Sequence, residues 1–135
     1  MQKSAYYQRT NLIELTNLFK ALSDETRLRV LNLLLERECC VCEVMQSLDI
    51  SQSKASRTLK ALYEVGILKL RRNGTWSLYS VEKESMRGYL RGMVKAIAEA
   101  LAESKQVKSD RERLKRAERI GPGAAEKLRQ GKDRA

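Results

Sequence analysis

Histidine is missing from all 135 residues of the chain. Its absence removes the commonest general base and the commonest nitrogen ligand for metals together, and with them Cys-His and Ser-His catalysis. No run of apolar residues approaches the roughly 18 that a membrane-crossing helix needs. The opening Met1-Gln2-Lys3-Ser4-Ala5-Tyr6-Tyr7 lacks the apolar centre of a secretory leader. Cysteine is scarce: three residues, all between positions 39 and 42, too close together to staple distant parts of a fold. These absences predict a protein of the reducing cytoplasm with no membrane association. Proline occurs once, within Gly121-Pro122-Gly123, and interrupts any helix there.

What is present suits one domain with a modest core, since 42 % of the residues are hydrophobic. The formal charge of +10 and a pI near 9.8 point to a polyanionic partner, nucleic acid first and an anionic membrane surface second. The plainer alternative is that the basic surface only confers solubility. Residues 103–135 hold 11 Lys and Arg against 6 Asp and Glu, so the last quarter of the chain supplies half of the excess. Apolar residues are sparse there. The expected organisation is a folded unit over residues 1–103 and a basic C-terminal tail over 104–135, either partly helical or disordered.

Helical periodicity runs through most of the first part. Asn11 is positioned to cap a helix carrying Leu12, Leu15, Leu18, Phe19 and Leu22, and Ser23 or Asp24 to cap a second with Leu28, Leu31, Leu34 and Leu35 inward. Val41, Val44, Met45 and Leu48 mark a short helix, and Asp49-Ile50 turns the chain. Ser51 can then cap a longer helix to Val65 with Ala55, Leu59, Leu62 and Val65 on one face. The opposite face holds Ser53, Arg57 and Lys60, flanked by Gln52, Lys54 and Ser56. Hydroxyl, amide and cationic groups there suit base edges and phosphates, although a merely solvated face would look similar. A short helix, a turn and a polar-faced second helix together read as a helix-turn-helix.

Gly66 ends that helix, and Asn73-Gly74 predicts a type I′ hairpin joining Ile67–Arg72 to Thr75–Val81. A basic ribbon directly after a recognition helix is a wing, with Arg71 and Arg72 at its tip. Leu70, Trp76 and Leu78 are expected to pack inward. From Ser85 to about Glu103 a further helix carries Met86, Tyr89, Leu90, Met93, Val94, Ile97, Ala98 and Leu101 at spacings of three and four. That seam can cover the domain and also meet a second copy, so Leu12, Leu15, Tyr89, Leu90, Met93, Val94, Ile97 and Leu101 are the candidate dimer contacts. Packing within one chain is the competing reading. The expected fold is mainly α with a β-hairpin wing, a dimeric winged helix-turn-helix binding double-stranded operator DNA. Ser51, Gln52, Ser53, Lys54, Ser56, Arg57, Lys60, Arg71 and Arg72 are its candidate DNA contacts.

Several stretches in order resemble the ArsR/SmtB family of bacterial winged-helix metalloregulators, in particular its arsenic-responsive branch. Phe19-Lys20-Ala21-Leu22-Ser23-Asp24-Glu25-Thr26-Arg27-Leu28-Arg29 is similar to the family's second-helix signature. Glu38-Cys39-Cys40-Val41-Cys42-Glu43-Val44 resembles its cysteine box, with the two box cysteines at Cys40 and Cys42. Ser51-Gln52, Ser56-Arg57-Thr58-Leu59 and Gly66-Ile67-Leu68 with Arg71-Arg72-Asn73-Gly74 follow its recognition helix and wing. The chain departs from the pattern at Ser53, where the family has proline, and at Thr58, where it commonly has histidine. Met45 stands where some members have a third box cysteine, and Cys39 precedes the box instead. Without histidine, the zinc site that other branches place on the dimer helix has no counterpart.

The resemblance implies a non-enzymatic repressor that leaves DNA on binding As(III) or Sb(III). Soft thiolates select such ions, and Cys39, Cys40 and Cys42 suit a three-coordinate centre. Were residues 39–42 helical, Cys40 and Cys42 would point about 200° apart and Cys39 and Cys42 about 60° apart. Gathering all three on one ion, with sulfur bonds of about 2.3 Å, then distorts the start of the helix-turn-helix. Three alternatives stand beside this. One is a redox or other-metal sensor of the same fold, with Cys39–Cys42 the expected disulfide. Another is three inert buried thiols. The last, a thiol enzyme, lacks both a histidine base and a phosphate-cradling glycine loop.

Overall fold

The computed structural model describes residues 2–120 except Arg87, with side chains from residue 12 onward. The Gly121-Pro122-Gly123 break and the rest of the tail lie outside the described residues. In chain order the elements are α1 (Gln2–Leu22), α2 (Glu25–Glu36), α3 (Val41–Leu48), α4 (Gln52–Glu64), β1 (Lys69–Asn73), β2 (Trp76–Ser80), a 3-10 turn (Lys83–Ser85), α5 (Gly88–Leu101) and α6 (Lys105–Arg116). None of the described helices is long and apolar enough to cross a membrane.

N-cap side chains start three of the described helices. Asp24 accepts the Arg27 N–H at 2.9 Å to open α2, and Ser51 Oγ accepts the Lys54 N–H at 3.1 Å to open α4. Each such cap contributes about 1 kcal/mol. Asn11 is not a cap, because α1 already runs through it from Gln2. Asp49 closes α3 in the left-handed region at φ 56°, which Asp tolerates better than most residues, and Gly66 follows α4 at φ 84°. The inward residues of α2 (Val30, Leu31, Leu33, Leu34), α3 (Val44, Met45, Leu48) and α4 (Ala55, Leu59, Leu62) meet in one core, joined by Leu18 of α1 and Leu90 and Val94 of α5.

β1 and β2 form an antiparallel hairpin with Lys69 opposite Ser80 and Asn73 opposite Trp76. Its central turn residues are therefore Gly74 and Thr75 rather than Asn73 and Gly74. Of these only Gly74 has positive φ (64°), the pattern of a type II′ connection, since type I′ needs two such residues. Leu70 corrects the expected inward set. Its cross-strand partner is Tyr79, so it lies on the face opposite Trp76 and Leu78 and stays 37 % exposed.

The segment after α5 neither prolongs that helix nor begins as a frayed tail. The chain breaks after Leu101, and Ser104 Oγ caps a separate helix, accepting the Val107 N–H at 3.2 Å. α6 packs against α2 and α3 through Val107 and Leu114. Arg29 of α2 donates twice to the buried Asp110 carboxylate, at 2.9 and 2.8 Å, which raises the guanidinium pKa further. Arg111 donates to the buried Asn32 side chain at 3.0 Å. Removing one partner of a buried pair leaves the other desolvated. Asp110→Ala is expected to lower unfolding free energy by about 2–4 kcal/mol in urea titrations.

Candidate thiol centre and nucleic-acid interface

The three cysteines fall on a stretch of chain that changes from extended to helical, and that change separates them. Cys40 is the residue before α3 and keeps an extended backbone (φ −90°, ψ 171°), while Cys42 sits in the first helical turn. With Cys40 outside the helix, the opposed directions expected of two helical residues do not apply. The two side chains converge, their Cα atoms are 5.5 Å apart, and their sulfurs are joined as a disulfide. The pairing expected between Cys39 and Cys42 does not occur.

Cys39 points the other way from Cys40, as successive residues of an extended chain do. Its backbone pairs with the wing: the Cys39 N–H donates to Tyr79 O at 2.9 Å, and the Tyr79 N–H donates back to Cys39 O at 2.8 Å. Its side chain is buried in the main core and is a free thiol. Burial pushes that thiol up to about 12, reinforced by the negative charge of Glu43. Cys40 and Cys42 belong to a second, smaller cluster with buried Leu78, to which Trp76 and Ile120 add apolar walls. Among the described residues no group of three or more His, Cys, Asp or Glu side chains is arranged to hold a metal. The sulfurs of Cys40 and Cys42 thus lie together, and that of Cys39 faces away.

Glu43 fixes this corner. Its buried Oε1 accepts the Cys40 N–H at 3.0 Å, closing the first turn of α3, and Arg119 Nε at 2.9 Å. Its Oε2 accepts from Arg37. One residue before the cysteines, Glu38 receives both Arg71 Nε and Arg71 Nη2 at 2.7 Å, and this bond holds its carboxyl below the usual range. The thiol segment is thus tied to the wing by backbone at Cys39 and by side chain at Glu38.

On α4, Gln52, Ser53, Lys54, Ser56, Arg57 and Lys60 are all exposed on the face turned away from the core. Ser51 is exposed too, with its hydroxyl occupied in capping. Lys60 lies 4.0 Å from Glu64. Arg72 is exposed on β1, whereas Arg71 is held by Glu38. Of the candidate dimer contacts, Leu12 is 71 % exposed, and Leu15, Tyr89, Met93, Ile97 and Leu101 are half-buried. Leu90 and Val94 lie in the protomer's own core. Ile13, not singled out by the periodicity, is 67 % exposed beside Leu12.

Sequence reasoning missed Glu38 and Glu43 as anchors, and also Gln46, Arg119 and Ile120. For Glu43 a signal existed, since a glutamate three residues after a helix-capping position is a capping-box pattern. It was hidden because cysteine is not a favoured cap.

A family model described as "Bacterial regulatory protein, arsR family" matches residues 24–69. The chain is 42 % identical over 83 residues to the arsenic resistance transcriptional regulator ArsR1 of Pseudomonas putida, a match covering 61 % of this chain. It spans 64 % of that relative, a little under two thirds of its length. With the arsenical resistance operon repressor of Bacillus subtilis it shares 37 % identity over 73 residues, 53 % of this chain and 70 % of the relative. Among solved structures, reduced HlyU from Vibrio cholerae superposes with a TM-score of 0.59 at 25 % identity, covering 72 % of this chain and 98 % of that one. The homodimeric winged helix-turn-helix DNA-binding domain of Mb0332 from Mycobacterium bovis gives 0.56 at 26 % identity, covering 76 % and 86 %.

The raised Cys39 thiol gives a pH dependence of known sign. A folded-state value above the ordinary 9.0 means the unfolded chain loses the proton first. The contribution is complete below pH 9 and is lost as pH rises toward 12. In urea midpoints measured across that window, wild type should fall more steeply than Cys39→Ala, so the gap between them narrows.

Proposed function

The chain belongs to the arsR family of bacterial regulatory proteins, a family of regulators and not of enzymes, and on that premise we propose that it is a homodimeric DNA-binding repressor relieved by trivalent arsenic or antimony. One observation carries the reading. Cys40 opens the first helix of the helix-turn-helix, and its neighbours Cys39 and Glu38 are bonded to the wing. A change in sulfur geometry therefore acts on both elements that meet DNA.

Operator binding uses the exposed face of α4 for base edges and phosphates, with Arg72 at the wing. Arg71 has two of its N–H groups held by Glu38 and offers phosphate its whole guanidinium only when it leaves that carboxylate. The second protomer docks on α1 and α5, where Leu12 and Ile13 are exposed and Leu15, Tyr89, Met93, Ile97 and Leu101 are half-covered. An apolar stripe of this kind is the usual mark of a protein interface. The Mycobacterium bovis domain of like fold is described as homodimeric.

Reduced Cys40 and Cys42 offer two thiols in an apolar corner. Arsenous acid exchanges two hydroxyls for the two sulfurs, and the two thiol protons leave with them as two waters. Cys39 displaces the remaining hydroxyl, which leaves with the Cys39 thiol proton as a third water, only by leaving the core, and that breaks both hydrogen bonds to Tyr79. Those bonds contribute about 0.5–1.5 kcal/mol each, far less than the roughly 10–16 kcal/mol of a structural zinc–thiolate site. Recruiting Cys39 thus detaches the thiol segment from the wing, so effector and DNA favour different conformations.

A redox-responsive regulator is the second reading, favoured by the joined sulfurs of Cys40 and Cys42. There hydrogen peroxide takes two electrons and two protons from the thiol pair, giving the disulfide and two waters.

For phosphine-reduced, desalted protein on a duplex selected from random sequence, arsenite is expected to weaken binding about 100-fold, within the usual range of allosteric coupling. Cys40→Ser and Cys42→Ser should lose that response while binding DNA normally. An unchanged response in both rejects the arsenite reading, and release by peroxide alone selects the redox one. X-ray absorption of the arsenite complex should count three sulfur neighbours in wild type and two in Cys39→Ser. Separately, Arg57→Ala should cost the selected duplex about 1–3 kcal/mol of affinity in a binding titration.

A further inference from the structure

After α6 the backbone turns extended at Ala117 (φ −70°, ψ 141°) and runs back over the start of α3. Three anchors hold it there. The Gln46 side-chain amide pairs with the Glu118 backbone in both directions, donating to Glu118 O at 2.7 Å and accepting the Glu118 N–H at 3.1 Å. Arg119 Nε reaches the buried Glu43 carboxylate at 2.9 Å. The Ile120 N–H donates to Cys42 Sγ at 3.3 Å, and the Ile120 side chain packs on the cluster of Cys40, Cys42 and Leu78. The sulfurs of Cys40 and Cys42 thereby lie beneath a segment some 75 residues away in sequence and outside the family-matched region of residues 24–69.

We propose that Ala117–Ile120 is a strap that occupies the face of the Cys40–Cys42 centre from which a ligand must enter, so that strap and thiophilic ligand compete and Ile120 sets which ligands gain access. The Ile120 N–H takes up acceptor capacity of Cys42, and the side chain fills the apolar space beside both sulfurs. A ligand atom bonded to the two sulfurs takes Ile120's place. Loss of the strap also frees Arg119 from Glu43, the carboxylate that closes the first turn of α3. Bulky thiol reagents are excluded while the strap is down. Small neutral oxyacids pass with a smaller opening. The strap's role in sensing rests on the arsenite reading above, but its control of thiol access does not.

The test uses the full chain, reduced with phosphine and desalted, and the aromatic disulfide 5,5′-dithiobis(2-nitrobenzoate) as probe. In that reaction a cysteine thiolate forms a mixed disulfide and thionitrobenzoate leaves with the electron pair. Gln46→Ala and Ile120→Asp are expected to speed labelling of Cys40 and Cys42 about tenfold, the opening that follows from losing two strap hydrogen bonds or the apolar seat. Cys39 should stay unlabelled in all three proteins, which shows that the main core remains closed while the strap opens. Gln46→Ala places a strong helix former on α3 and decides the matter should Ile120→Asp fail to fold. Labelling of Gln46→Ala within twofold of wild type overturns the strap. Faster labelling with no arsenite effect on DNA binding upholds the strap and rejects the arsenite reading, whereas an arsenite effect with unchanged labelling does the reverse.

Discussion

A carboxylate taken out of water has to be met by charge and hydrogen bonds, and Glu43 is met from three directions. It accepts the Cys40 N–H from the start of its own helix, Arg37 from the end of α2 and Arg119 from beyond α6. The first bond sets where α3 begins. Because α3 begins at Val41, Cys40 stays extended, and its sulfur reaches Cys42 rather than pointing away. The other two bonds bind distant chain segments to that same corner. Thiol centre, first turn of the helix-turn-helix and C-terminal strap thus share one buried charge.

The geometry also joins the cysteine segment to both the wing and the helix-turn-helix without a long path between them. Cys39 is a one-residue extension of the wing sheet, and Glu38 grips Arg71 of β1. On the other side Cys40 leads directly into α3, which packs on α4. Short segments with two possible sets of partners suit a two-state response, because bonds exchanged at one end are felt at the other within a few residues. The basic residues divide accordingly. Lys54, Arg57 and Arg72 lie open to solvent, while Arg29, Arg37 and Arg119 are spent on internal carboxylates. Net charge alone does not separate these two groups.

Local pattern made much of the domain readable. The helical spacing of apolar residues, the caps at Asp24 and Ser51, the glycine after α4 and the glycine at the hairpin turn each act through neighbours in sequence, so each was visible there. The cysteine segment was not. Cys40 is a poor cap by type and becomes one only because Glu43 is buried and returns its N–H bond. Leu70 looked like a core residue by composition, and cross-strand pairing with Tyr79 put it on the outer face. α6 falls in the stretch expected to be either partly helical or disordered, and its packing was not legible because its one buried charge, Asp110, is neutralised by Arg29, 81 positions earlier.

The amino-acid sequence by itself determined the helices from α1 to α5, the polar face of α4 and the wing, because these depend on periodicity and on contacts a few residues apart. The tertiary structure alone decided that two of the three sulfurs converge while the third joins the core. It also decided that Arg71 is held by Glu38 and that Ile120 covers the thiol pair. Each of these is a contact between distant segments whose partners are chosen by burial, and burial is a property of the assembled fold.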